Sequence, residues 1–343
     1  MSILRKDPVS SGWVIIAEDR AERPFTFETQ KEEPQNGFCP FCEGNESYTP
    51  PEIVAYRKPE TFPNKPGWTV RTIPNKFAAL RIEGDLDRRG DGIYDMMQGI
   101  GAHEVIIESP EHNKNLALFP KEKVSEIIRM YRDRDADLIK DKRFKYIQIF
   151  RNYGAIAGAS IHHPLSQLIA LPITPRWVKE ELICALEYYQ IKERCLFCDI
   201  VNQEIKEGSR VVIENKDFLS FTPFASKFPF ETWIIPKRHQ PYFRMIQEYE
   251  IESLGEILKS TLFAIHRALS DPPYNFIIHA APVLSPTRPS AGSILDDYHW
   301  HIEIIPRVTK MAGFEWGTGF YINSIVPEHA AEYLREVLSE PGF

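Results

Sequence analysis

Two cysteine pairs, each followed by two histidines far along the chain, constrain this sequence more than any other feature. Both pairs have two residues between the cysteines, and their histidines follow in the same order. The first set is Cys39, Cys42, His112 and His163, and the second set is Cys195, Cys198, His239 and His299. Four such ligands are typical of structural zinc sites, where they form a tetrahedron around the ion. We therefore predict two zinc sites, one in each half of the chain.

A redox-active dithiol is the alternative function for each cysteine pair, because thioredoxin-like motifs have the same spacing. Those motifs lie at the start of a helix, and we do not expect them to recur with two trailing histidines. A single histidine on a loop is more often solvated or hydrogen-bonded than bound to a metal. The repetition of the whole set is therefore what favours zinc at His112 and His239.

The repetition extends beyond these ligands and covers about half of the chain. Asn75 and the strand-like run 104–112 follow the first cysteine pair, and Asn215 and the run 231–239 follow the second. Repeats of roughly 20 to 50 residues would indicate a solenoid, but this repeat is much longer. The pattern therefore indicates duplication of a whole domain.

Residue periodicity predicts the same kinds of element in both halves. Apolar residues at helical spacing are Val124, Ile127, Ile128 and Tyr131 in the first half and Leu254, Ile257, Leu258, Thr261 and Ile265 in the second. Runs rich in β-branched residues predict strands at 13–16, 146–150 and 276–278. We expect a helix containing Cys184 near residues 174–194, and a closing helix that begins at Pro327.

These elements predict an α+β fold with mainly antiparallel sheet. The two tandem domains are predicted to span residues 1–185 and 186–343. Each domain is expected to consist of strands, one long helix and further strands.

Charge and hydropathy exclude several classes of partner. The net charge of -7 and the isoelectric point of 5.9 provide no basic footprint for nucleic acid or an anionic membrane. No apolar run reaches the roughly 20 residues that cross a bilayer, and the first residues lack the order of a signal peptide. We expect a soluble cytoplasmic protein that binds neither nucleic acid nor membranes.

The segment 157–167 resembles the active-site segment of the galactose-1-phosphate uridylyltransferases, of the histidine-triad superfamily, and of the related ADP-glucose phosphorylases. Further matches cover essentially the whole chain, and they lie at residues 20–24, 73–76, 108–112, 298–303 and 313–323. The resemblance implies two tandem histidine-triad-like domains and a homodimer. It also implies transfer of a nucleoside monophosphate through a covalent nucleotidyl-histidine, between a nucleotide sugar and a hexose 1-phosphate.

The resemblance carries roles over to individual residues. The first cysteine and histidine set matches the zinc ligands of the family's active half, and the second set matches a second site found in some members. The residues that match nucleotide and phosphate contacts are Arg23, Asn75, Ser160 and Gln167. The segment that binds hexose phosphate in the family contributes Lys310, Phe314 and Glu315. These residue types suit phosphoryl transfer, since positioning and neutralisation of phosphate oxygens dominate that reaction.

Leu165 departs from the family pattern, which has His-Pro-His where this chain has His163-Pro164-Leu165. The flanking residues Ser160 and Gln167 fix the alignment, so leucine occupies the position of the nucleophile. Leucine has no lone pair and cannot form a nucleotidyl intermediate. Three explanations remain open: a trapped variant, a natural loss of covalent catalysis, or a nucleophilic role for His301, two residues after His299.

The leading hypothesis is a nucleotidyltransferase that acts on nucleotide sugars and hexose 1-phosphates. An ADP-glucose phosphorylase-like enzyme is the nearest alternative, and Leu165 favours a catalytically silent nucleotide- or sugar-phosphate-binding protein. A zinc-stabilised interaction protein is a weaker alternative. His103 is expected to be neutral and hydrogen-bonded within the fold, while His279 could join His301 in a polar or metal cluster.

Overall fold

The computed structural model describes residues 2–20, 37–112, 114–283 and 294–340. The strands of these ranges are β1 (Ile3–Lys6), β2 (Trp13–Ile16), β3 (Val54–Arg57), β4 (Trp68–Pro74), β5 (Arg89–Asp91), β6 (Tyr94–Met96), β7 (Ala102–Ile107), β8 (Tyr146–Tyr153), β9 (Leu165–Leu171), β10 (Val211–Glu214), β11 (Phe218–Phe221), β12 (Thr232–Pro236), β13 (Tyr274–His279), β14 (His301–Pro306) and β15 (Tyr321–Asn323). The helices are α1 (Lys121–Leu138), α2 (Arg176–Lys192), α3 (Leu196–Glu207), α4 (Glu248–Ala268), α5 (Ile294–Asp297), α6 (Gly313–Thr318) and α7 (Pro327–Ser339).

Ten strands form one antiparallel sheet in the order β10-β11-β12-β14-β13-β8-β9-β7-β4-β3. Each half contributes five neighbouring strands, and their order is the same when each half is followed from its outer edge. The halves join where β13 pairs with β8, with Tyr274 opposite Tyr153. The predicted α+β class with mainly antiparallel sheet is confirmed. The predicted division between residues 185 and 186 falls within α2.

Helices α1 and α4, which the periodicity predicted, cover one face of this sheet. Their apolar residues share a single buried core with the strands of both halves. Gly255 lets the two helices touch, because a Cβ at that position would lie 2.2 Å from the Ser125 hydroxyl and 3.1 Å from its backbone nitrogen. Since a buried aliphatic side chain contributes about 1.5–3 kcal/mol, this shared core holds the halves together.

The opposite face of the sheet differs between the halves. In the second half, α2 and α3 cover it, and Leu196 and Phe197 pack with Trp233 and Ile235. The helix that begins at Leu196 was not predicted. In the first half this face carries a smaller apolar cluster, with a partly buried Leu165 packed against it. The duplicated sheet therefore presents one covered face and one more accessible face.

The two ends of the chain meet in a separate three-stranded sheet, in which β2 pairs with β1 and, in parallel, with β15. Arg5 forms a salt bridge of 3.0 Å with Glu328 at the start of α7. The predicted closing helix at Pro327 is confirmed. Among the described helices, none has the length and apolar character needed to cross a membrane.

Candidate active site and metal centres

The first set of cysteines and histidines forms a compact cluster. The Cys42 sulfur lies 3.4 Å from Nδ1 of His112 and 3.7 Å from Nδ1 of His163, and the two Nδ1 atoms are 3.4 Å apart. Cys39 lies 3.7 Å from Nδ1 of His163. Metal bonds of about 2.0–2.3 Å in a tetrahedron require ligand separations of roughly 3.3–3.8 Å. These four atoms are therefore arranged to hold a four-coordinate ion.

Hydrogen bonding and burial prepare His163 for this role. Its Nε2 donates to the carbonyl oxygen of Ser109 at 2.7 Å, which directs Nδ1 toward the sulfurs. Such an outer hydrogen bond is the usual support of a ligating histidine. Burial lowers the pKa of His163 to about 4, so the ring is neutral at physiological pH. A neutral imidazole is the form that binds a metal.

The second set repeats this arrangement on the other half. The Cys198 sulfur lies 3.4 Å from Nδ1 of His239 and 3.7 Å from Nδ1 of His299. His239 Nε2 donates to the Leu295 carbonyl at 2.8 Å, and Cys195 belongs to the same group. Both predicted four-residue sets are thus brought together, and each group can hold a metal ion.

Cys195 is the N-cap of α3, so the second cysteine pair does lie at the start of a helix. That placement is the feature expected of a redox dithiol. His239 and His299, however, direct their Nδ1 atoms at Cys198, and all four ligand atoms lie within 4.8 Å of one another. A dithiol has no need of two histidines so placed, so the geometry favours a metal.

A polar cluster lies on the accessible face of the first half. His103 Nε2 is 2.9 Å from Oε1 of Gln167 and 3.0 Å from Nδ2 of Asn75. The Ala79 amide donates to His103 Nδ1 at 3.1 Å, so the proton belongs on Nε2 and is donated to Gln167. Asn75 and Gln167, which are far apart in sequence, therefore meet around one histidine.

Two residues of this region were not identified as site residues from the sequence. His103 was expected to be a hydrogen-bonded structural histidine, and it does accept a backbone hydrogen bond. It also orients Gln167, and alternation along β7 is the signal that places His103 and Val105 on one face. Phe77, two residues after Asn75, is 85% exposed, and its amide donates to Asn75 at 2.9 Å. An exposed aromatic ring beside polar groups is suited to stacking on a base.

Leu165 and Gln167 lie on this accessible face, whereas Ser166 between them points to α1. Ser166 belongs to a buried network in which the Tyr131 hydroxyl donates to Glu108 at 2.7 Å. Glu108 is also paired with Arg151, whose guanidinium donates to the backbone oxygen of Leu165 at 3.3 Å. The backbone at position 165 is thus held firmly, although its side chain cannot act as a nucleophile.

His301, the alternative nucleophile, is fully buried. Its ring stacks on Trp233 with centroids 4.5 Å apart and on His279 with centroids 4.8 Å apart. His279 Nδ1 lies 2.9 Å from Glu181 and its Nε2 lies 3.4 Å from Glu303. The structure therefore brings His279 and His301 together in a buried polar cluster, which by its distances could also hold an ion. This burial argues against His301 as a nucleophile that substrate reaches.

The remaining candidates are Arg23, Ser160, Lys310, Phe314 and Glu315. Arg23 is outside the described residues. Ser160 is exposed and follows a short 3-10 helix, Ala155–Ala157. Phe314 and Glu315 lie on α6, which contacts β15, and Glu315 accepts a hydrogen bond of 2.9 Å from the Ala312 amide. Lys310 is exposed just before α6.

Comparison with known families agrees with this geometry. The family model described as galactose-1-phosphate uridyl transferase, N-terminal domain, matches residues 1–175. This chain belongs to the galactose-1-phosphate uridylyltransferase family. A second model, for a domain of unknown function, matches residues 115–340. The family assignment thus covers the first metal cluster and the polar cluster around His103.

Several relatives of this uridylyltransferase family member match over nearly their whole length. The ADP-glucose phosphorylase of Arabidopsis thaliana is 38% identical over 97% of this chain and 92% of the relative. The galactose-1-phosphate uridylyltransferase of Thermotoga maritima is 28% identical, with 98% of each chain covered. A crystal structure of the Arabidopsis phosphorylase with bound ADP-glucose superposes with a TM-score of 0.82 at 35% identity, and covers 98% of this chain and 99% of that chain. The chain therefore has the scaffold of a nucleotidyltransferase.

Proposed function

We propose that the first half binds a nucleotide sugar at the site of a nucleotidyltransferase, with ADP-glucose as the first candidate. We further propose that Leu165 closes the covalent route of that chemistry. The observation that carries this proposal is the cluster of Asn75, His103 and Gln167 on the accessible face beside Leu165. A leucine removes the attacking nitrogen but leaves these polar groups available to a ligand.

The phosphates of the ligand are assigned to Gln167, Asn75 and Ser160, with Arg23 as the proposed cation. Amide and hydroxyl donors suit phosphate oxygens, and preorganised donors are what stabilise charge during phosphoryl transfer. The exposed ring of Phe77 is the proposed stacking surface for the base. The preference for ADP-glucose over a uridine nucleotide rests on 38% identity to the phosphorylase against 28% to the Thermotoga uridylyltransferase.

We propose zinc as the ion of both cysteine and histidine groups. Two thiolates and two imidazoles form a tetrahedral donor set that suits this ion. The role of the first site would be to hold the backbone from His163 to residue 165 in place. The role of the second would be to fix Cys195 and the start of α3 against the loop that carries His299.

We also propose a homodimer in which Lys310, Phe314 and Glu315 bind the sugar phosphate of a neighbouring subunit. The support is the position of this segment on the molecular surface beside β15, with Phe314 exposed.

Calorimetric titration with ADP-glucose tests the proposed binding site. We expect saturable binding at one site per chain and at least a tenfold weaker affinity for Gln167→Ala, since a lost charge-assisted hydrogen bond costs about 1.5–3 kcal/mol. Gln203→Ala is the matched control, because Gln203 is an exposed glutamine on α3. UDP-glucose serves as the competing nucleotide sugar. Absence of binding by both nucleotide sugars would contradict the proposal.

A further inference from the structure

A short loop at residues 154–160 leads from β8 toward His163 and carries Ser160. It turns tightly, since Gly154 and Gly158 have φ values of +81° and +92°. Within it, the Gly158 amide donates to the Ala155 carbonyl at 2.9 Å and the Ala159 amide donates to the Gly154 carbonyl at 3.1 Å. These bonds shape the loop internally, but they do not attach it to the sheet.

The attachment comes from the other half of the molecule. Asn275 on β13 donates from Nδ2 to Oδ1 of Asn152 at 2.9 Å and to the carbonyl oxygen of Ala157 at 2.8 Å. Asn275 and Asn152 are register partners where β13 pairs with β8. Ala157 is buried. The side-chain amide of Asn275 therefore links β8, the strand before the loop, to the middle of the loop.

This contact also fixes the orientation of Asn152. Because its Oδ1 accepts from Asn275, its Nδ2 is directed toward the loop, and a Cβ at Gly158 would lie 3.5 Å from that nitrogen. Arg151, the preceding residue, points to Glu108 beneath the sheet. Asn152 therefore faces the opposite side, which carries Leu165 and Gln167.

Pro273, the residue before β13, makes a second contact with the same loop. A Cβ at Gly154 would lie 2.8 Å from the Cβ of Pro273, so the backbone of residue 154 packs directly on that proline. Tyr153 stacks on Tyr274 with ring centroids 5.1 Å apart. The loop that carries Ser160 thus rests on residues 273–275 of the second half.

We infer that Asn275 is a positioning residue for the phosphate-binding loop of the first half. Its two hydrogen bonds hold Asn152 and Ala157 so that the loop is already shaped when ligand arrives. The second half, whose own equivalent face is covered, therefore contributes to nucleotide affinity through this side chain. The inference rests on the proposed function, because the ligand of the loop is the proposed nucleotide sugar.

Calorimetry with ADP-glucose and hydrogen exchange of the loop amides test this role on the full-length chain. Asn275→Ala and Asn275→Asp are both expected to weaken ADP-glucose binding about tenfold, the equivalent of one or two lost hydrogen bonds. Both should speed exchange at the amides of Gly158 and Ala159. Aspartate matches asparagine in size but cannot donate, and its carboxylate would face the oxygens of Asn152 and Ala157 that now accept from Asn275.

Asn215→Asp is the matched control, because Asn215 makes a comparable donor bond of 2.8 Å to the Ser253 carbonyl, far from the loop. It should lower the melting temperature similarly while ADP-glucose affinity and loop exchange stay at wild-type values. Wild-type affinity and exchange in Asn275→Asp would overturn the inference and leave the proposed function intact. A wild-type chain that binds no ADP-glucose would instead remove the proposed function, and the affinity role of Asn275 with it.

Discussion

At the scale of single residues, the chain has a partly exposed leucine at one of two equivalent positions and a fully buried histidine at the other. Leu165 and His301 each stand two residues after a proposed metal ligand, at the start of equivalent strands. Leu165 is partly exposed beside Gln167, whereas His301 is enclosed by Trp233 and His279. A nucleophile must approach the phosphorus within about 3–3.5 Å, so the buried ring cannot replace the missing one.

Leu165→His is expected to create a covalent nucleotidyl-enzyme. The backbone at this position is already held by Arg151, so the new imidazole would stand on a positioned strand. With ADP-glucose labelled at the α-phosphate, the variant should retain label and release glucose 1-phosphate at least a thousandfold faster than wild type.

The control for this gain is Leu165→Asn, which adds polarity without a nucleophilic imidazole and should stay unlabelled. Label retained by the wild-type chain would contradict the assignment, and peptide mapping would then identify the residue that carries it.

Asp135 on α1 is expected to make stability depend on pH. Burial raises the pKa of this carboxyl to about 6, although Arg244 beside it acts in the opposite direction. The unfolded value is about 3.9, so the folded chain binds this proton more tightly, and the ionised form costs stability above pH 6. Asp135→Asn should therefore stabilise the protein by roughly 2–3 kcal/mol at pH 7.5, with the gain vanishing below about pH 4.

Asp137→Asn is the control, and we expect it to change the stability at neutral pH in the opposite direction from Asp135→Asn. Hydrogen bonds from Lys140 and Arg134 lower the pKa of Asp137, so its ionised form is favoured in the folded state. Thermal unfolding from pH 3.5 to 8 measures both variants. If Asp135→Asn changed the stability equally at both ends of this pH range, burial of the ionised carboxylate would not be the cause of the stability change.

At the scale of elements, each half packs one long helix against the same face of the sheet. The opposite face is covered differently in the two halves. Helices α1 and α4 pack together at Gly255, and α2 and α3 cover only the second half. The asymmetry follows from the position of the connecting helices α2 and α3, which come after β9 in the chain. They pack over Trp233 in the second half rather than over Val105 in the first half. The accessible site of the first half is a consequence of this packing.

Gly255→Ala is expected to destabilise the fold although alanine favours helices. The added methyl group would meet Ser125 and the Lys121 carbonyl, at 2.2 Å and 3.2 Å, and forcing helices apart costs about 1–3 kcal/mol. The intrinsic helix gain of about 1 kcal/mol offsets only part of this cost. Urea unfolding should show the loss, whereas Gly317→Ala on α6, with open space around it, should be neutral or slightly stabilising.

At the scale of the whole molecule, the two metal groups join segments that are far apart in sequence. Cys39 and His163 are 124 residues apart, and Cys198 and His299 are 101 residues apart. An ion bound at such a cluster adds its binding free energy to folding, because the unfolded chain does not preform the site. The proposed zinc ions would therefore stabilise each half separately.

Metal analysis of the purified protein is expected to find two zinc ions per chain. Cys195→Ser should reduce this number to one and lower the melting temperature, while ADP-glucose affinity changes little because the first half is intact. Cys39→Ser should also lose one ion, but with weaker ADP-glucose binding, since its cluster contains His163. One zinc ion or none in the wild-type chain would contradict the prediction of two sites.

Much of this architecture could be predicted from residue order alone. The apolar spacing of Val124 to Tyr131 and of Leu254 to Ile265 predicted α1 and α4, because a helix repeats every 3.6 residues whatever surrounds it. The ordered cysteine and histidine sets predicted which eight side chains would meet. The part played by His103 was missed, since a lone histidine carries no local sign of the Gln167 and Asn75 that it contacts.

The sequence by itself determined the chemistry available at each position: two four-residue cysteine and histidine sets, amides and hydroxyls of a kind suited to phosphate, and no imidazole at residue 165. Only the tertiary structure decided which copy of the duplicated pattern lies on an accessible face. Local periodicity is the same in both halves, and access depends on whether distant elements such as α2 and α3 pack over the strands. That packing buries His301 and leaves Leu165 partly exposed on the accessible face, so the two copies of one pattern differ in exposure.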